Sequence, residues 1–244
     1  MKTAFFTLFL FVITSFPHSV FSQSKDSASI FAGITSSEKI SLSKPIDFEK
    51  SLILVHSTGV KSNKTDLEYT LRYPESQDYM SMTISGFPGE NPKTKPEILI
   101  NFDEDKMITF MNFADSKMAM VRNLSETKNG VAILNASYQN LEKTGKSKKI
   151  LGYSCIEYTF KNPDLEGSVW LAPSIGDEFA QSFSTLGLYV ESDPASNPGG
   201  YIMRLKANDI NTGEILSLVI KDINQKAPYS IDAENYVVAV HPSE

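Results

Sequence analysis

Cysteine and histidine are scarce in this sequence, which has one of the former and three of the latter among 244 residues. A single cysteine excludes an intrachain disulfide, so the fold must be stabilised by a packed core. A zinc site needs three or four closely spaced His, Cys or carboxylate ligands, and a phosphate site commonly uses a glycine-rich loop before a helix. The sequence shows neither pattern. We therefore expect no metal site, no cofactor and no enzymatic activity.

The few residues that could carry chemistry have simpler explanations. Cys155 lies in a strand-like run and is expected to be a buried, inert thiol. His56 and His241 belong to no recognisable motif, and the serine and threonine that follow His56 cannot form a triad by adjacency alone. The acidic run at residues 103–105 lacks the rest of a calcium loop, so a solvated turn is expected there.

The charge balance argues against a nucleic-acid partner. The whole chain has 23 basic and 29 acidic residues. Removal of the N-terminal residues 1–22, which the next paragraph describes, takes away Lys2. It leaves 22 basic residues against 29 acidic ones, a net charge of −7. The densest basic cluster is Lys146, Lys148 and Lys149, which we interpret as a solvated hairpin tip. Binding to phosphate backbones requires a larger basic patch than this.

The N-terminus has the features of a secretory signal peptide. Lys2 supplies the basic start, an apolar run follows from Ala4 to Phe16, and Val20 and Ser22 stand at the −3 and −1 positions of a cleavage site. The apolar run is too short to span a bilayer, which needs about 20 residues. Residues 1–22 are therefore predicted to be removed from an exported protein, periplasmic or secreted, that does not span the membrane after cleavage.

The remaining chain divides at Asp66. Gln23 to Leu42 is rich in serine and could be a linker, a loosely packed arm or a short helix. Residues 23–65 as a whole are interpreted as an N-terminal arm, either partly disordered or a short helix. Residues 66–244 show repeated runs in which apolar and polar residues alternate, which predicts a single β-rich domain built from an antiparallel sheet. Turns are expected at Lys143–Lys146, at Asn162–Asp164 and at Asn211–Glu214, and a loop at Asp193–Gly200.

One segment has a helical pattern. Ser174 can cap a helix with Asp177 three residues later, and Phe179 and Phe183 then lie on one apolar stripe that continues to about Leu188. The predicted fold class is accordingly β-rich α+β, with a curved antiparallel sheet covered by one or two helices.

A candidate ligand face follows from the methionines. The pairs Met80/Met82 and Met118/Met120 are two residues apart, so each pair projects from one side of its strand. Together with Phe179 and Phe183 they could line a groove for acyl chains, because methionine adapts to irregular apolar partners. The same side chains could equally fill gaps in an ordinary core.

Several blocks of the sequence resemble a known family. They are Leu141–Lys146, Ile150–Tyr158, Gly167–Pro173, Gly200–Leu205 and Thr212–Ile215. These blocks are similar to the bacterial domain-of-unknown-function 4412 family over roughly Asp66 to Val240, and more distantly to the half-barrel lipoprotein carriers of the LolA type. The resemblance implies a LolA-like half-barrel exported into the envelope of bacteria with an outer membrane, and it implies no catalytic group.

Three functions stay open at this point. The first is an exported non-enzymatic domain that binds a lipid, a lipoprotein or another apolar ligand in the envelope. The second is a structural or protein-interaction module of the envelope with a solid core and an envelope protein as its partner. The third, a hydrolase with an unrecognised site, is disfavoured by the shortage of histidine.

Overall fold

The computed structural model describes residues 45–60, 63–76, 79–87, 95–101, 103–113, 116–123, 141–176, 179–193, 197–232 and 236–240. The predicted signal peptide, the first part of the predicted arm, Asp177 and His241 lie outside these ranges. Within them the chain forms fifteen strands and one helix. None of the helical structure in these ranges is long and apolar enough to cross a membrane.

The strands are β1 (Ile46–Phe48), β2 (Lys50–Val60), β3 (Asn63–Tyr73), β4 (Tyr79–Ser85), β5 (Glu97–Asn101), β6 (Lys106–Phe113), β7 (Ser116–Asn123), β8 (Glu142–Ile150), β9 (Tyr153–Lys161), β10 (Leu165–Ala172), β11 (Tyr189–Asp193), β12 (Asn197–Asp209), β13 (Ile215–Asn224), β14 (Tyr229–Ile231) and β15 (Val237–Val240), and the helix is α1 (Ala180–Thr185).

Thirteen strands form one large sheet that does not close into a barrel. Its order is β15-β7-β6-β5-β4-β3-β2-β13-β12-β10-β9-β8, and β11 pairs with β12 beside this path. The neighbours are antiparallel except at one edge, where β15 runs parallel to β7. The β-rich antiparallel architecture expected from the alternating sequence is confirmed.

Alternation along the strands separates a core face from an opposite face. On β3 and β4, Leu71 lies beside Met82, and Tyr69 beside Ile84, and all four side chains are buried. This core face continues across the sheet to Leu218 on β13 and Leu205 on β12, both about 2% exposed. One contiguous core therefore extends across the middle of the sheet.

The interpretation of residues 23–65 as an arm is wrong for its described part. Residues 46–48, 50–60 and 63–65 are strand, and β2 lies between β3 and β13 in the middle of the large sheet. Leu52 and Leu54 are 0% and 1% exposed. The run Leu52–Val55 is apolar throughout and shows no alternation, and pairing on both edges makes β2 a core strand.

One expected turn and one expected loop need correction. The segment Lys143–Lys146 is not a turn, because β8 continues through it with a register shift before Ser147. The chain reverses at Leu151–Gly152, where both residues have positive φ (51° and 87°), as a two-residue hairpin of type I′ requires. The predicted loop Asp193–Gly200 is also partly strand, since β11 and β12 pair from Asp193 and Asn197 onward.

The turns at Asn162–Asp164 and Asn211–Glu214 are confirmed. The side chain of Asn162 accepts hydrogen bonds from the backbone N–H groups of Asp164 and Leu165. Asp209 does the same for Asn211 and Thr212. These short side chains satisfy the backbone of the tight turns, which is the reason such residues favour them.

The helix begins later than its sequence predicts. Ser174, Ile175 and Gly176 are not helical, and Gly176 has a φ of 91°, which a right-handed helix cannot contain. The helix proper is α1, with six residues. Phe179, just before it, and Phe183, within it, are both buried in the main core.

A second, smaller core lies on the opposite face of β5 to β7. Strands β1 and β14 pair to form a separate two-stranded sheet. Phe48 and Ile231 from this sheet pack with Leu99, Ile108 and Phe110. Beside this core, Tyr229 donates a hydrogen bond to Glu97 Oε2 at 2.8 Å, and the Arg72 guanidinium lies 4.0 Å from the centre of the Tyr229 ring. The small sheet is thus fixed to the large one by apolar and polar contacts.

Candidate functional site

The register of the sheet places all four predicted methionines on the core face. Met80 and Met82 lie opposite Ile100 and Ile98 of β5, which lie opposite Met107 and Thr109 of β6. On β7, Met118 pairs with Met111, and Met120 pairs with Thr109. Because paired residues project from the same side of a sheet, Met80, Met82, Met118 and Met120 share one face.

The part of this face that carries Met80 and Met82 is closed. Met80, Phe179 and Phe183 are 0% exposed, and Met82 is 6% exposed. The Phe179 ring contacts the Tyr73 ring edge to face, with centroids 5.9 Å apart, and Phe183 contacts Tyr201 in the same way. Side chains that bordered a cavity wide enough for an acyl chain would keep accessible surface, so these four pack as a solid core.

The open part of the face lies at the β15 edge of the sheet. Met111, Met118 and Met120 are partly exposed, and Val237, which pairs with Met118, is 69% exposed. We call Met111, Met118 and Met120 the methionine surface. The structure therefore brings the six predicted residues onto one apolar face and divides them, with four in the closed core and two at its open end.

Burial shifts the pKa values of two titratable groups. His56 lies on the core face between Leu67 and Leu218, and burial lowers its pKa to about 4. Burial also raises the pKa of the Cys155 thiol, which is 1% exposed. The expected burial of the thiol is confirmed, and His56 is a partly buried residue on the core face. Within the described ranges, no three His, Cys, Asp or Glu side chains are grouped to hold a metal ion.

Acid should destabilise the protein through His56. The imidazole binds a proton with a pKa of 6.5 when unfolded and about 4 when folded, so the unfolded state takes up more protons between these values. Stability is unaffected above pH 6.5 and falls as pH drops from 6.5 towards 4. At pH 5 the loss is about 2 kcal/mol.

The measurement is the thermal midpoint at pH 7 and pH 5, for the native protein and for His56→Leu. The variant should lose about 4–8 °C less on acidification than the native protein. Tyr158→Phe, which changes a buried residue and leaves His56 in place, serves as the control. Equal acid sensitivity in His56→Leu and the native protein would show that His56 is not the responsible group.

Comparison with known proteins identifies the family. The family described as Domain of unknown function (DUF4412) matches residues 53–199, more than half of the chain. The chain belongs to the DUF4412 family. The matched region begins within β2, ahead of Asp66, which agrees with the central place of β2 in the sheet. It ends before the blocks Gly200–Leu205 and Thr212–Ile215, which the sequence resemblance had included.

Other comparisons say little about function. No curated protein matches the sequence of this DUF4412 protein. Among solved structures, it is similar to PNGF-II at 12% identity and a TM-score of 0.32, over 79% of this chain and 31% of that one. The chain thus spans about a third of PNGF-II.

Two further structures are similar at the same level. The Pseudomonas aeruginosa MucA/MucB complex has 9% identity and a TM-score of 0.37, over 72% of this chain and 51% of that one. A Vibrio parahaemolyticus domain assigned to outer membrane lipoprotein sorting has 10% identity and a TM-score of 0.28, over 72% and 85%. Scores this low say nothing about the ligand or partner of the DUF4412 protein.

Proposed function

We propose that this protein is an exported, non-enzymatic domain of the bacterial envelope that binds a lipid or another apolar moiety on the methionine surface. Export follows from the signal-peptide pattern of residues 1–22. The observation that carries the binding proposal is the continuation of one apolar face from the closed core to the partly exposed Met111, Met118 and Met120.

The chemistry of the surface suits a flexible apolar ligand. Unbranched thioether side chains can follow an irregular chain without a fixed geometry. Val237 extends the surface onto β15, the next strand, where it is 69% exposed. A group of exposed apolar side chains on neighbouring strands is typical of an interaction surface. The ligand therefore lies at the edge of the sheet in this proposal, and not beneath α1, where packing is solid.

The substitution Met118→Gln together with Met120→Gln tests this proposal. Each change removes apolar contact worth roughly 1 kcal/mol, so the affinity for cis-parinaric acid should fall about tenfold or more. The stability of the protein should change little, because both side chains are already partly exposed. Probe fluorescence gives the affinity, and native mass spectrometry of protein purified from the envelope identifies any lipid that remains bound.

The matched control is Val60→Gln together with Ile210→Gln. These side chains are 41% and 46% exposed and lie away from the methionine surface. The control should bind the probe like the native protein. Absence of both a co-purified lipid and probe binding in the native protein would refute the proposal.

A second function is favoured by the closed core. Because Met80, Phe179 and Phe183 have no exposed surface, the domain could act as a solid structural or protein-interaction module of the envelope. The methionine surface would then contact a protein. A pull-down from envelope extract distinguishes the two, since the module retains a stoichiometric protein partner that the Met118/Met120 variant loses, whereas the carrier retains lipid.

A further inference from the structure

The face of the sheet opposite the core carries a group of cations at the β8 end. On β12, Arg204 pairs with Trp170 of β10, and Lys206 pairs with Ser168. On β8, the Lys148 Nζ lies 4.0 Å from the centre of the Trp170 ring, and the Lys146 Nζ lies 3.0 Å from Glu157 Oε2 of β9. We call Lys146, Lys148, Trp170, Arg204 and Lys206 the cationic strip.

The strip is exposed and its charge is unbalanced. Lys148, Arg204 and Lys206 are exposed, and the Lys146 side chain is 70% exposed. Glu157 lies among them, and its hydrogen bond with Lys146 holds the pKa of its carboxyl below the usual range. On the same face, Glu142 pairs with Thr159, and Lys161 Nζ lies 3.0 Å from Glu166 Oε2. Five cations and three carboxylates therefore share this face, an excess of two positive charges in a protein whose net charge is −6. Such a local excess on an acidic protein is complementary to an anionic partner.

The geometry of the strip favours a flat partner. Four adjacent strands separated by about 4.8 Å present these groups from one side of a sheet. Thr159 and Ser168 pair with each other between the cations. The Thr159 hydroxyl donates to the Glu142 carbonyl, and the Ser168 hydroxyl can donate a hydrogen bond to a phosphate oxygen. Trp170 is half-buried at the centre, and tryptophan is enriched where proteins meet the headgroups of a membrane.

We propose that the cationic strip docks the protein on the anionic headgroup surface of a membrane leaflet. Lys148, Arg204 and Lys206 contact the lipid phosphates, and Trp170 enters the headgroup layer. The strip lies on the face opposite Met118 and Met120, so docking leaves the methionine surface accessible. This contact is independent of the proposed apolar ligand.

Trp170 is the single tryptophan of the chain, so its fluorescence reports on the strip alone. Protein purified after expression of the full chain is titrated with vesicles of brominated phosphatidylcholine, pure or mixed with an equal amount of brominated phosphatidylglycerol. Bromine quenches an indole that enters the lipid. We expect quenching by the mixed vesicles and none by phosphatidylcholine alone. Quenching should disappear at about 1 M salt, where the Debye length is about 3 Å.

The triple variant Lys148→Gln, Arg204→Gln, Lys206→Gln tests the residues. Each cation near an anionic surface contributes about fivefold to binding, so the variant should bind the mixed vesicles about 100-fold more weakly. The control is Lys64→Gln, Lys143→Gln, Lys226→Gln, which removes the same charge from exposed positions outside the strip. It should bind within about twofold of the native protein. The native protein and both triple variants are prepared with the same N-terminal residue, so that they differ only at the substituted positions. Circular dichroism verifies that each is folded.

Two results would overturn the proposal. One is an equal loss of binding in the control variant, which would show attraction by overall charge and not by the strip. The other is the absence of quenching by the mixed vesicles while soluble polyglutamate shifts the Trp170 emission, which would assign the strip to an acidic protein partner.

Discussion

Replacing Phe183 with alanine is expected to destabilise the protein by about 3–5 kcal/mol. The ring is 0% exposed and contacts the Tyr201 ring at a centroid distance of 5.6 Å. It also holds α1 against the sheet, and a helix of six residues is too short to be stable alone. The loss therefore includes the apolar contacts of the ring, the void left behind and the docking of the helix.

Urea denaturation followed by circular dichroism measures this loss. Ser184→Ala, at an exposed position of the same helix, should change the free energy of unfolding by less than about 0.5 kcal/mol. A loss below about 1 kcal/mol in Phe183→Ala would mean that the ring borders empty space. That result would restore the idea of an enclosed ligand cavity beneath the helix, which the structure disfavours.

Replacing Gly167 with alanine is expected to cost about 3 kcal/mol, because there is no room for a methyl group. A Cβ atom at this position would overlap the backbone oxygen of Lys206 and would lie 2.7 Å from the Phe160 ring and 2.9 Å from the Ala207 Cα. The Lys206 oxygen and the Ala207 Cα are backbone atoms of β12. Strand β10 could accept the methyl group only by moving away from its partner strand.

The thermal midpoint measures the effect of Gly167→Ala. For a chain of this size, the expected loss lowers the midpoint by about 6–12 °C. Ser168→Ala, the next residue of β10 on the opposite face, is the control and should lower it by less than about 2 °C. A decrease of less than about 2 °C in the midpoint of Gly167→Ala would show that β10 and β12 are not in close contact.

Local patterns were sufficient to predict several strands of the β-rich region. The alternation of Leu67, Tyr69 and Leu71 with polar residues predicted β3 and its buried side, and the structure confirms both. Cys155 was predicted to be buried because free cysteine usually is. These predictions succeeded because the two-residue period of a strand is written in neighbouring residues.

The same reasoning failed where distant residues decide the outcome. Strand β2 was taken for part of an arm, although it pairs with β3 on one edge and β13, more than 150 residues away, on the other. The turn was expected at Lys143–Lys146, whereas the chain reverses at Leu151–Gly152, where Leu151 is an unusual residue for positive φ. The sequence grouped Lys148 only with its neighbours Lys146 and Lys149, because Arg204 and Lys206, which the sheet places on the same face, lie far along the chain.

The amino-acid sequence by itself determined the class of the fold, the family and the choice of methionine for one side of several strands, because these depend on residue type and local spacing. Only the tertiary structure decided which methionines are buried and which are open, because burial depends on where α1 and the outer strands lie. Met82 and Met120 have the same local pattern, yet Met82 is in the middle of the sheet and Met120 is near its edge.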